Sequence, residues 1–287
     1  MYSQDETISA ILKLYQQIIL HPYLPSTTLI TPPPTGWPTI SEPTPSKNAT
    51  VISLLRHLPY LQSESISERI LINYETLAIN YSSSSQGQRT GGSFAEDIYP
   101  LPDHCVYLSR SIDREGIALI LDTNEGIITH MSSGSQLQVP YEEYDAVPFE
   151  EQWKMYEKVP VKEFFDAWTE RFKKLVWMLV PNPSGEPTGG RFVSRAVFAA
   201  EEEELLRSEG FSTWEYRPRE GEDEVDVEQR KHAAHVYNTY LNYGWPDRFD
   251  KEACRAALLD QESKKNAEDR QKMDEMFPDP PGMFDSD

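Results

Sequence analysis

An α+β fold, built on a mostly antiparallel sheet covered by helices, is what three stretches of this 287-residue chain predict. The first is residues 113–132, where Ile117–Leu121 and Ile127–Thr129 flank Asp122-Thr123-Asn124-Glu125-Gly126. Asn, Asp and Gly tolerate the positive φ of a tight reversal, so this reads as a β-hairpin. The second begins at Pro160, whose missing N–H costs nothing in the first turn of a helix. Phe164, Phe165, Trp168, Phe172 and Leu175 share one face of that helix, the pattern of a lid over a sheet. In the third, beyond residue 181, the pattern becomes helical and acidic. Residues 201–287 hold 24 Asp and Glu against 12 Lys and Arg, a net of -12 and more than half of the chain's -20.

The remaining elements follow in order. Residues 5–20 repeat apolar side chains at helical spacing (Ile8, Ile11, Leu12, Tyr15, Ile18, Ile19), with Asp5 and Glu6 at the positive end of the dipole. Pro22 ends that helix, and prolines recur to Pro45, so the segment reads as a strap with Trp37 pinning it to the body. A short helix is expected at 49–58, and one or two strands at 69–81. A polar Ser/Gly loop is expected at 82–93, and a strand over His104–Ser109. Residues 133–158 read as irregular, acidic and aromatic-rich. Val176–Val180 suits a strand. A Pro/Gly loop over 181–190 then leads into a helix reaching Leu206, with Gly210 as its stop. Helical patterns return at 226–243, closed by Gly244, and at 250–276, with Asp250 as N-cap. The expected organisation is an N-terminal helix and Pro-rich strap (1–47), an α+β domain (48–181), an acidic helical extension (190–276) and a disordered tail (277–287).

Composition excludes several classes. A net charge of -20 repels phosphates, so neither nucleic acid nor an anionic membrane surface is an expected partner. A basic protein partner and plain solubility both fit. Hydrophobic residues at 38%, 22 prolines and a mean hydropathy of -0.59 point to long exposed segments. Residues 1–20 lack the basic start and apolar run of a signal peptide, and no stretch approaches a membrane span. With two cysteines, Cys105 and Cys254, free thiols in a reducing cytoplasm or nucleus are the expectation.

The chemistry-bearing motifs are sparse. His232 and His235 stand three apart on a predicted helix, a spacing that suits two metal ligands, but no further ligand cluster accompanies them. Asp122–Gly126 begins like a calcium loop but fails it, because Gly falls fifth and the twelfth position is Ser133. His104-Cys105 suggests a thiol beside a base, yet neighbours on a strand point to opposite faces. Cys254, beside Ala253, suits a small buried hydrophobe. Nucleophile elbow, Walker loop and Rossmann fingerprint are all lacking, and no cofactor is called for. Glu201–Glu204 and Glu220–Glu228 read as solvated faces or as docking surface for a basic partner.

Gly116-Ile-Ala-Leu-Ile-Leu-Asp122, the Gly126-Ile-Ile-Thr129 strand and the Val159–Trp168 helix resemble the second half of the SUKH superfamily. That group includes fungal regulators of cell-wall assembly and bacterial immunity proteins. The early Leu-Pro motif of the family finds only Leu58-Pro59-Tyr60 here, with no Asn-Gly turn after it. Tyr243-Gly-Trp-Pro-Asp247 also resembles a corner in filamentous-fungal proteins of unassigned function. The resemblance implies an α+β domain that works by binding proteins, and it transfers no catalytic residue.

The function expected is therefore a non-enzymatic interaction or regulatory protein, with Trp37, Tyr141, Tyr144, Trp153 and Trp245 as candidate binding residues. The alternative is an enzyme, a hydrolase or small-molecule biosynthetic enzyme, using His104, His130, Asp122 or Glu115 around the hairpin. A pocket lined by two of these would favour the enzyme. A shallow face rimmed by Trp and Tyr would favour the binder.

Overall fold

Several helices begin where a polar side chain serves a free N–H group. In a computed structural model of the chain, α1 (Gln4–Ile18) is capped by Ser3, whose Oγ accepts from Glu6 N–H, and α2 (Ala49–His57) by Asn48, whose Oδ1 accepts from Val51 N–H. The structure describes residues 2–41, 43, 45–62, 69–82, 99–132, 137–185, 188–219 and 221–276. Most of the expected Ser/Gly loop and the tail over 277–287 lie outside these.

The fold is α+β, with antiparallel pairing in every described sheet. Between α1 and α2, the strap contributes β1 (Leu29–Ile30), which pairs with β2 (Tyr60–Leu61). Trp37 pins the strap as expected, its Nε1–H donating to Leu58 O (2.9 Å). Residues 69–81 resolve into β3 (Leu71–Asn73) and β4 (Thr76–Ala78). The strand expected at His104–Ser109 is two, β5 (Cys105–Tyr107) and β6 (Ser109–Ser111). The break at Leu108 sends the chain from one sheet to another: β5 pairs with β7 (Ala118–Asp122), while β6 pairs with β4. Ser109 Oγ accepts from Leu119 N–H (3.0 Å) and donates to Ile117 O (2.8 Å), replacing a ladder rung at the crossing.

The central hairpin is as expected: β7 pairs with β8 (Ile127–Met131), and Gly126 takes φ +74°. Asp122 Oδ1 accepts from Asn124 N–H (2.8 Å) and Glu125 N–H (3.1 Å), so the side chain itself builds the turn. Residues 133–158, expected irregular, hold a short helix, α3 (Tyr141–Ala146), a 3-10 helix over Phe149–Met155, and the start of β9 (Lys158–Pro160). β9 is the edge of the four-stranded sheet β5-β7-β8-β9, where Pro160 has no ladder donor to lose. The same Pro160 opens α4 (Val161–Lys173). α1 and α4 pack together over the sheet, and Leu14, Leu54, Phe165, Trp168, Phe172, Leu119 and Ile128 form the main core.

β10 (Trp177–Pro181) is paired with β11 (Gly190–Ser194). Of these, residues 191–194 fall where a helix is expected. They are a strand because Phe192 faces the main core while Val193 faces a second core on the other side. Gly190 lies on the Tyr23 ring, and a Cβ there would come within 2.3 Å of it. The helix, α5 (Ala199–Arg207), starts later than expected and runs one residue past Leu206, with Ser208 rather than Gly210 at its C-cap. α6 (Glu224–Asn242) and α7 (Lys251–Met276) cover the outer face of the hairpin, with Met178, Val180, Tyr237, Tyr240, Trp245, Cys254 and Leu258 between them. Asp250 Oδ1 caps α7 by accepting from Ala253 N–H (3.0 Å). Residue 181, expected as a domain boundary, is thus the last residue of β10. No helix among the described residues is long and apolar enough to cross a membrane.

Candidate functional site

The outer face of the four-stranded sheet gathers most of the chemistry the sequence singled out. Strand alternation sends Leu119, Leu121 and Ile128 toward α4, and Ala118, Ile120 and Met131 the opposite way. There Tyr99, Leu101, Cys105, Tyr107 and Trp153 complete a smaller core. Upon it lie α3 and the 3-10 helix.

α3 buries none of its residues. Tyr141 is 65% and Phe149 54% exposed, and Tyr144 is half-buried between them and the sheet. Tyr141 stacks on Tyr144 (6.0 Å), Tyr99 lies against Phe149 (4.8 Å), and the Tyr99 and Tyr144 hydroxyls meet at 3.1 Å. Burial, then the bond to Tyr144, raises the Tyr99 and Tyr156 phenols above their usual range, so both stay protonated. Around these rings Glu142, Glu143, Asp145, Glu150 and Glu151 are all exposed. The nearby Lys154 is paired with Glu151 (2.6 Å). The result is an aromatic ledge with a carboxylate rim.

Three of the expected binding residues do not belong to it. Trp153 is 3% exposed, beneath the ledge, and Trp245 is 7% exposed in the second core, with Nε1 3.3 Å from Lys173 O. Trp37 is spent on the strap. Folding takes up the apolar area of Trp153 and Trp245, while Trp37 is partly buried against the main core. Tyr141 and Tyr144 remain.

Among the described residues, His232 and His235 do not converge with a third ligand either. His232 Nε2 lies 3.2 Å from the buried Glu262, in a groove lined by Lys231, Lys264, Lys265 and Lys272 together with Glu228 and Glu268.

Of the four groups offered for an enzyme, only His104 and Asp122 meet. His130 faces α4, its ring 6.0 Å from Phe164, and burial lowers its pKa. Glu115 lies at the far end of β7, where its N–H donates to Glu75 (3.2 Å). Among the described residues, clefts of about 320 Å³ and 400 Å³ open against the C-terminal helices.

His104, Cys105 and Asp122 do converge, their ligand atoms within 4.8 Å of one another. Strand alternation argued against this, and the reason it fails is local. Cys105 N–H donates to Pro102 O (3.1 Å), so His104 sits in the turn before β5 and its ring is free to swing to the face Cys105 occupies. Cys105 and Asp122 are direct cross-strand partners. Burial, then the Asp122 charge, pushes the Cys105 thiol up to about 12, so it is a poor nucleophile.

These features define a helix-covered α+β protein with an aromatic, acidic face. No protein-family model matches the chain, and no curated protein or solved structure is significantly similar to it.

Proposed function

We propose that this is a non-enzymatic interaction protein that docks an Arg-rich segment of a protein partner on the Tyr141–Phe149 ledge. The observation that carries the reading is the exposure of Tyr141 and Phe149 among the exposed carboxylates of Glu142, Glu143, Asp145 and Glu150. Large rings held by packing offer contact area at low entropic cost, and they cluster at interface centres. Guanidinium groups stack on such faces while reaching carboxylates at the rim, which an ammonium does less well. The net charge of -20 steers a cationic partner toward the chain. The protonated, buried Cys105 and the separation of His130 and Glu115 from His104 leave little for the enzyme alternative. The SUKH resemblance supports the same reading.

The test is calorimetric titration of the full chain with a synthetic Arg-rich peptide, beside a Lys-rich peptide of equal charge. Saturable one-to-one binding, stronger for the Arg peptide, is expected. Tyr141→Ala with Phe149→Ala, both at exposed positions, should weaken it at least about tenfold. Equal binding by the double variant, or no saturable binding, would overturn the proposal.

A further inference from the structure

We propose that His104, Cys105 and Asp122 form a binding site for a divalent, thiophilic cation of the zinc class. Among the described residues they are the one group of three His, Cys, Asp or Glu side chains whose ligand atoms converge. The donor set is a borderline nitrogen, a soft sulfur and one carboxylate oxygen. That set selects zinc over magnesium or calcium, which take oxygen.

The fit extends to the surroundings. His104 Nε2 stands 3.8 Å from Asp122 Oδ2. Two tetrahedral ligands of zinc are separated by about 3.3–3.7 Å, so a small side-chain adjustment closes the site. Asp122 Oδ1 is fixed by Asn124 and Glu125 N–H groups, leaving Oδ2 as the ligand oxygen. The other nitrogen of the ring, Nδ1, faces Asp103 Oδ1 at 3.4 Å. A carboxylate behind the second imidazole nitrogen fixes tautomer and ring angle in zinc sites, and Asp103 stands in that place. The backbone of His104 is held too: its carbonyl accepts from Thr123 N–H (2.9 Å) and Thr123 Oγ1–H (2.8 Å).

Access agrees. The two ammonium groups that act on Cys105 each have oxygen partners of their own, Lys47 on the Leu101 and Pro102 carbonyls and Lys154 on Glu151. Cys105 is fully buried, while the His104 side chain is 27% exposed, so an ion enters from the His104 side. On binding, the Cys105 S–H proton leaves to solvent and the Sγ–metal bond replaces it. A turn that merely caps a hairpin needs Asp122 Oδ1, and explains neither the placement of Asp103 nor the thiol.

The test is equilibrium binding of zinc to the metal-free full chain, with cobalt as a spectroscopic substitute. One ion per chain is expected, with a thiolate-to-cobalt charge-transfer band. Cys105→Ser should abolish the band and Cys254→Ser should leave it. Asp103→Asn, at an exposed position, should weaken zinc by about 10–100-fold without unfolding the chain. His104→Gln should abolish stoichiometric binding, and it carries the test where Cys105→Ser does not fold. No stoichiometric ion, a band that survives Cys105→Ser, or binding indifferent to both His104→Gln and Asp103→Asn would overturn the proposal.

Discussion

The two cores that share the β10–β11 hairpin are held by different forces. Under α1 and α4 most buried side chains are hydrocarbon, Leu14, Leu54, Leu121, Ile128 and Phe172 among them. The polar atoms with them are neutral tyrosine hydroxyls on the backbone, as where Tyr60 Oη donates to Leu55 O (2.6 Å). Under α6 and α7, polar groups are buried with the apolar ones. Tyr240 Oη donates to Leu179 O (2.8 Å) and lies 2.9 Å from His21 Nδ1. The fully buried Glu262 meets Arg191 (3.0 Å), and Arg255 reaches the Pro22 and Tyr23 carbonyls. Hydrophobic burial has no direction and little pH dependence, whereas buried polar pairs are costly to leave half-made. The first core therefore depends on volume, and the second on protonation and on keeping partners together.

The largest effect belongs to the first core. Trp168 is 4% exposed and sits between Phe164 (5.0 Å) and Trp177 (5.5 Å). Trp168→Ala should cost about 3–5 kcal/mol, the transfer term plus the cavity. The measurement is denaturant unfolding, with the loss the same at pH 7.5 and pH 5. Wild-type stability in that variant would remove α4 from the core.

In the second core the comparable change is smaller. Glu262→Ala leaves Arg191 without its carboxylate, but the Arg191 side chain is 36% exposed and water takes up part of its charge. A cost of about 2–3 kcal/mol is expected, below the 3–5 of a fully buried pair. Adding Arg191→Met should recover part of it, because the orphaned guanidinium is then gone. A double variant no more stable than Glu262→Ala would show that the pair is not coupled.

The difference between the cores also explains what could be read from sequence. The β7–β8 hairpin, the Pro160 helix start and the Asp250 cap were legible because each is written in neighbouring residues: Asx turn, proline φ, cap hydroxyl or carboxylate. β11 was not, because the alternation of Phe192 and Val193 means something only once β10 lies beside it. Sequence gave Tyr141 and Trp153 equal standing as contact residues. Which of the two lies beneath the other is set by the sheet they cover, a long-range fact. The Cys105–Asp122 pairing depends on the register of β5 against β7, and the position of His104 on the Pro102 turn. Neither has a local signature.

The smallest effect is also the most selective. The His21 ring is buried among Phe172 (5.4 Å), Tyr240 (5.4 Å) and Trp245 (5.2 Å), where the two cores meet. Burial, with some contribution from nearby Lys251, lowers its pKa from 6.5 to about 3. The unfolded chain takes up this proton below pH 6.5, while the folded chain refuses it until about pH 3. Stability from His21 is therefore complete above pH 6.5 and falls as pH drops toward 3, by about 1.4 kcal/mol per unit. That amounts to about 2 kcal/mol by pH 5. His130, also lowered by burial, acts in the same direction. Glu201, lowered to about 2 by Arg230 and Arg219 against the opposing effect of burial, adds its loss only below pH 4.5. The window from pH 6.5 to 4.5 thus belongs to the histidines. His21→Phe should remove most of the slope there and leave the Trp168→Ala cost untouched. An unchanged slope in His21→Phe would mean that acid does not act through the joint between the cores.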